Sequence, residues 1–248
     1  MRILFLGSGH FRPTPERHCS CAVLDTGGAK YCVDAGGPVP DLLAAAGISP
    51  EELRAVFTTH VHGDHTNGLY ALADLCNYAF PMASMDVFVT DPGLMDLLRK
   101  SVEVSEAGQR LDETRFRLKL MTEDTRWSDG NLTVTPIPTK HMAHKGRPSF
   151  AYLMEAEGKR VLFTGDLSQE LARDDFPRVA LEEPLDLTIC EMGHFGPDHL
   201  ASILPAYRGR ALYFQHVYPE DKEAYIPEMD GKWGYPIRLL SDGETVEI

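Results

Sequence analysis

With 248 residues, 43% of them hydrophobic, the chain can build one large core or two small ones, and its five cysteines follow no framework spacing. A net charge of −13 argues against long RNA or DNA as the main partner, because phosphate binding draws on basic patches. No stretch reaches the about 20 apolar residues of a membrane span. Residues 2–6 read as a first buried strand, too short and too lightly charged for a secretory signal. The turn Gly7-Ser8-Gly9-His10 follows, then an irregular segment with Pro13 and Pro15. Cys21-Ala22-Val23-Leu24 and Lys30-Tyr31-Cys32-Val33-Asp34 pair as a hairpin around Gly27-Gly28. A helix is predicted over 41–46, stopped by Gly47, and Ser49-Pro50-Glu51-Glu52 has the pattern of a helical cap. Strand 55–58 leads into a His-rich loop, and helical periodicity returns from Thr66 to Tyr78. A strand over 87–89 and a helix from Asp91-Pro92 through Leu98 come next. Phe116, Leu118 and Leu120 alternate with Arg115, Arg117 and Lys119, as in a half-exposed strand whose charges form a solvated face.

The second half reads as strands 132–138, 150–155 and 160–164, helical segments around Leu171 and Leu181, and a buried strand 186–190. A helix-like stretch from Leu200 to Tyr207, strand 211–215 and a last strand near Thr245-Val246 complete it. The second half repeats the first in outline without a visible sequence repeat, and no linker divides residues 1–248, so a single domain is expected. Cys32 and Cys190 fall in strands as core thiols. Cys19-Ser20-Cys21 lacks the second Cys pair that a soft-metal site needs, and a reducing, cytoplasmic setting fits.

The run Thr59-His60-Val61-His62-Gly63-Asp64-His65 carries the most chemistry. Imidazole nitrogen and carboxylate oxygen are ligands for zinc, iron and manganese. Buried together without a cation, these groups would be costly to desolvate. In extended chain, positions two apart face the same way, so His60 and His62 can converge on one ion. The turn at Gly63 then directs Asp64 and His65 toward a second point.

This run resembles the His-x-His-x-Asp-His signature of the metallo-β-lactamase fold superfamily. His141, Asp166 and His216, each at the end of a strand-like run, continue the expected series. The resemblance implies an α/β fold of αββα type, two mixed sheets face to face with helices outside. It assigns His60, His62 and His141 to a first ion, and Asp64, His65 and His216 to a second, with Asp166 bridging. Two divalent ions about 3.5–4 Å apart can share a hydroxide and clamp attacking and leaving oxygens. Zinc is the first choice, with manganese or iron as alternatives. Asp34 is the candidate carboxylate that orients the His-rich loop. His144 competes with His141 as ligand, and otherwise serves the substrate.

Gly7-Ser8-Gly9, Thr59-His60, Asn67-Gly68-Leu69 and Gln215-His216 are most similar to the ribonuclease Z and small cyclic-phosphodiesterase branch. The basic, Gly/Pro-rich tRNA arm of ribonuclease Z is missing from the sequence. The implied function is a metal-dependent hydrolase, with two metal ions sharing a hydroxide, of small phosphodiesters, cyclic ones included; a carboxylic ester, lactone or thioester hydrolase on the same dinuclear site is the alternative. Asp64 and His199 are the candidate catalytic groups, with His194 a weaker choice for the proton donor. His144, Lys145 and Arg147, with Lys140, are candidates for the substrate's phosphate. His10 and His18 border the expected cleft. The partner is a small molecule, no membrane is implicated, and homo-oligomerisation is left open.

Overall fold

Short apolar runs become strands at nearly every predicted place. The computed structural model describes residues 1–105, 108–169 and 172–248. They divide into a first unit, Arg2–Met121 with Asp242–Glu247, and a second, Thr122–Ser241 with Met1 and Ile248. Among the described residues no helix is long and apolar enough to cross a membrane.

The first unit holds β1 (Arg2–Gly7), β2 (Cys21–Thr26), β3 (Ala29–Val33), β4 (Leu53–Phe57), β5 (Met85–Val89) and β6 (Phe116–Leu120). The second holds β7 (Trp127–Ser128), β8 (Thr133–Thr139), β9 (Ser149–Ala156), β10 (Lys159–Phe163), β11 (Leu187–Met192), β12 (Leu212–Val217) and β13 (Ile237–Leu239). The last strand, β14 (Thr245–Glu247), returns to the edge of the first sheet, beside β1. Each sheet has seven strands, in the orders β14-β1-β2-β3-β4-β5-β6 and β13-β12-β11-β10-β9-β8-β7. Both are mixed. Pairings are antiparallel from β14 to β3 and parallel from β3 to β6. They are antiparallel from β7 to β10 and parallel from β10 to β13.

Burial follows the pairing. Parallel strands covered on both faces have little need of alternation, and every residue of β5 and β11 is buried. In the first unit α1 (Val39–Ala45), α2 (Gly63–Thr66), α3 (Gly68–Tyr78) and α4 (Pro92–Ser105) supply the helices. α3 buries Leu69, Leu72, Ala73 and Cys76, and α4 buries Leu94, Leu98 and Val102, the spacing of one apolar stripe. The predicted cap forms: Ser49 Oγ accepts from Glu51 N–H (3.3 Å), and Glu52 Oε1 accepts from Ser49 N–H (2.8 Å).

The second unit adds α5 (Ala172–Asp175), α6 (Val179–Glu182), α7 (Pro197–Ile203) and α8 (Tyr225–Met229). The helix expected around Leu181 is present, whereas Leu171 lies outside the described residues. Pro136 and Pro138 are compatible with β8 because its pairing with β7 covers only Thr133 and Val134. Cys32 and Cys190 are buried as expected, and Cys21 Sγ lies 3.7 Å from Cys32 Sγ rather than beside Cys19.

One expectation about the first unit is corrected. Arg115, Arg117 and Lys119 are not a merely solvated face. Arg115 Nη1 donates to the carbonyls of Cys76, Phe80 and Pro81 at 3.0–3.3 Å, satisfying the chain where α3 ends. Arg117 and Lys119 both pair with Asp86, at 2.5 and 2.7 Å.

Candidate metal centre

In the first unit β3 and β4 run parallel, so the loops leaving their C-terminal ends share one edge of the sheet. β3 delivers Asp34 and β4 delivers the loop Thr59–His65. Asp34 is 3% exposed and has φ +57°, a left-handed backbone rare for a residue with a Cβ. Its Oδ1 accepts Thr59 N–H (2.7 Å), and its Oδ2 lies 2.7 Å from His65 Nδ1. A carboxylate in that place takes the Nδ1 proton and leaves His65 Nε2 as the ligating atom. Thr59 Oγ1 donates to Asp34 (3.0 Å to Oδ2), so toward His60 Nδ1 at 3.1 Å it must accept. That fixes His60 Nε2 as a lone-pair donor.

His60 Nε2 then lies 3.0 Å from His62 Nδ1. Two nitrogens on one tetrahedral zinc at 2.0–2.1 Å would be about 3.3 Å apart. The His60 ring also packs 4.2 Å from the His65 ring, centroid to centroid, and Asp64 Oδ2 lies 3.7 Å from His65 Nε2. A Cβ on Gly36 would fall 1.6 Å from the Asp64 carbonyl oxygen, so only glycine lets the His-rich loop approach β3's end this closely. Burial pushes the Cys19 thiol's pKa up, with the Asp64 charge adding to it.

In the second unit the donors come from several strand ends. β8 leads to His141, β10 to Asp166, β11 to Glu191 and His194, and β12 carries His216. His141 Nδ1 points at the Leu167 carbonyl (3.3 Å), which leaves Nε2, 3.7 Å from Asp166 Oδ2. His216 Nδ1 is 3.7 Å from Asp166 Oδ1, and His194 Nδ1 is 3.7 Å from Asp166 Oδ2. Asp166, His194 and His216 present ligand atoms within 4.8 Å of one another, a spacing that fits a divalent cation. His216 has φ +53°, and a Cβ on Gly193 would meet its Nδ1 at 2.8 Å.

Three supporting groups escaped the sequence reading. Buried Glu191 accepts from the backbone N–H groups of Leu167 (2.9 Å), Gly193 and His194 (3.0 Å), and lies 3.2 Å from His194 Nδ1. Asp175 accepts Lys140 N–H (2.7 Å) and Ser168 N–H (2.8 Å), tying together the chain before His141 and after Asp166. Burial raises its pKa, opposed by those two hydrogen bonds. Lys222 Nζ donates to the carbonyls of Met192, Gly193 and Phe195, and burial lowers its pKa. Each makes backbone contacts that follow no side-chain pattern, so no sequence signal could have found them.

The other expected residues scatter. His144 donates toward the His141 carbonyl (Nδ1···O 3.0 Å) and, with Lys140, His141 and His194, lines a cavity of about 420 Å³ in the second unit. Lys145 and Arg147 are exposed and do not line it. His199 is exposed on α7 and joins no His/Asp group among the described residues. In the first unit, buried His10 accepts Arg12 N–H (3.2 Å), whereas His18 lines a second cavity.

The model of the family Anti-Pycsar protein Apyc1 matches residues 1–183. An Anti-Pycsar protein Apyc1 from Saccharibacillus brassicae is 28% identical over 214 residues, covering 83% of this chain and 85% of its own. A ribonuclease Z from Pseudomonas putida (strain W619) is 30% identical over 214 residues, covering 84% of this chain. The chain spans less than two thirds of that relative, 63% of its length. Among solved structures, the metallo-β-lactamase fold protein YhfI from Bacillus subtilis has a TM-score of 0.78 at 16% identity, covering 99% of each chain. The ribonuclease Z relatives leave the argument from acidic charge against a long nucleic acid without support.

Proposed function

The chain belongs to the Anti-Pycsar protein Apyc1 family, a ribonuclease Z-like group of metal-dependent hydrolases with the metallo-β-lactamase fold, and on that premise we propose that it hydrolyses a small phosphodiester, a cyclic one first, on two divalent ions. One observation carries the reading: His60, His65 and His141 each lie in a His/Asp cluster of their unit while one ring nitrogen of each is taken by Thr59, Asp34 or a carbonyl. Rings held in that way turn their other nitrogen's lone pair outward, where it would suit a cation.

In this proposal residues 1–248 act as a single domain. His60, His62 and His141 would hold the first ion and Asp64, His65 and His216 the second, with Asp166 as the carboxylate that would serve both. His141 takes the ligand role because its Nε2 faces Asp166, whereas His144 is spent on a backbone carbonyl. Bound there, two divalent ions, zinc first, would supply the Lewis acidity that lowers the pKa of water toward neutral and offsets charge on the phosphate. Lys140 and His144, which line the cavity beside His141, bind the phosphate oxygens. Proton donation to the leaving oxygen falls to His194, whose Nδ1 is steadied by Glu191, rather than to exposed His199. Asp34 and Glu191 orient their imidazoles and so hold the proton inventory of the site in place.

The test pairs elemental analysis of purified protein with a panel of cyclic and acyclic phosphodiesters, lactones, thioesters and a precursor tRNA. Two ions per chain and turnover of small phosphodiesters are expected. Turnover confined to esters or lactones would sink the phosphodiester reading, turnover of tRNA alone would sink the small-substrate one, and a single ion per chain would sink the dinuclear one.

A further inference from the structure

We propose that a cavity of about 600 Å³ in the first unit receives the organic substituent of the substrate, a planar heterocycle bearing N–H or C=O groups, and that His18 reads its polar edge. This rests on the phosphodiester reading above. Asp64 and Asn67 line the cavity at one side, so it reaches the His-rich loop. Phe11, Pro13 and His18 line it elsewhere. Phe11 is 56% exposed, so its ring offers a face on which a flat group can pack.

His18 is built into place. Its Nδ1 lies 2.8 Å from Asp242 Oδ2, and the same oxygen accepts the His18 backbone N–H at 2.6 Å. Asp242 Oδ1 accepts from Ser8 N–H and Ser8 Oγ, at 2.7 and 2.8 Å. Asp242 is thus already anchored by Ser8 and by the His18 backbone, and its contact with the imidazole is additional to these. With Nδ1 committed to the carboxylate, Nε2 is the ring atom left to hydrogen-bond in the cavity, and the side chain keeps 40% of its surface exposed. A carboxylate fixing one ring nitrogen so that the other can meet a ligand is a recurrent use of histidine. Asp242 acts through His18 and is a positioning residue.

Metal-loaded wild type, H18A, H18Q, F11A and D242N are assayed on a 3′,5′-cyclic nucleotide panel and on bis(p-nitrophenyl) phosphate, which has rings but no comparable N–H or C=O edge. Metal content is measured alongside, and calorimetry follows binding of the free nucleosides. H18A should raise KM for cyclic nucleotides about tenfold or more, the worth of one hydrogen bond, with kcat much less affected. The ratio of kcat/KM between the two substrate types should shift by a similar factor, metal content should hold, and H18Q should recover part of the loss. Equal effects on both substrates, or none on either, overturn the proposal. If wild type turns over no phosphodiester yet binds nucleosides in a His18-dependent way, the cavity assignment stands and the phosphodiester reading falls. Absence of nucleoside binding together with an unmoved KM removes the cavity assignment alone.

Discussion

The two units share one plan and use it differently. In each sheet three antiparallel pairings are followed by three parallel ones, and each has metal-suited side chains beyond the C-terminal ends of neighbouring parallel strands. The first unit places four such groups in one loop after β4, supported by Asp34 after β3. The second places Asp166, His194 and His216 on three successive strand ends and adds His141 from an antiparallel strand. A concentrated loop needs few supports: one carboxylate and one threonine orient two of its rings. A distributed set needs each loop held separately, which is what Glu191, Asp175 and Lys222 do.

The largest expected effect tests whether both plans contribute ligands. His65→Ala in the first unit and Asp166→Ala in the second should each cut kcat/KM by about 10³-fold or more, equivalent to about 4 kcal/mol of barrier, with loss of bound ion by elemental analysis. Should one of them retain full metal and activity, the comparison breaks, because its unit would then be scaffold only. Next comes the contrast within the second unit. His194→Ala should slow turnover of a substrate with a poor leaving group by about 10²-fold, the usual worth of a general acid, while His199→Ala stays near wild type. The opposite order returns the proton donor to α7. Asp34→Asn then probes the economy of the first unit. It leaves Thr59 a hydrogen-bond partner but removes the charge facing His65, and should weaken metal affinity about 10–100-fold, read by competition with a chromogenic chelator.

The same contrast explains what could be read in advance. His60, His62, Asp64 and His65 lie in one short run of the chain, so their shared chemistry was visible before any folding was considered. His141, Asp166 and His216 became legible only through the order of strand ends in a resembling family. Asp34 became legible as support only through the resembling family, since an Asp at a Gly-containing turn by itself reads as a plain strand stop; Glu191 and Asp175 were not legible, because they act on backbone N–H groups that every residue type carries. β7 and β13, with two and three residues, are too short to show a period. The strands around β5 and β11 were clear because mostly apolar stretches without alternation can be buried on both faces.

The smallest expected effects separate two kinds of charge on and beside β6. Arg115→Ala removes a guanidinium that serves several carbonyls where α3 ends, and its side chain is only 25% exposed. Leaving those acceptors unserved should cost about 2 kcal/mol, seen as a lowered denaturation midpoint with an unchanged slope. Lys119→Ala removes one of two cations on Asp86, from a side chain 42% exposed, and Arg117 stays to serve the carboxylate. Exposed ion pairs contribute roughly 0.2–1 kcal/mol and weaken with salt, so this loss should be under about 1 kcal/mol and shrink further in 0.5 M salt. The Arg115 loss should persist there, since screening acts on charge pairs in water and far less on hydrogen bonds to half-buried carbonyls. If both losses vanished together in salt, Arg115 would be acting through its neighbour Asp112, 2.8 Å away, and not as the cap of α3.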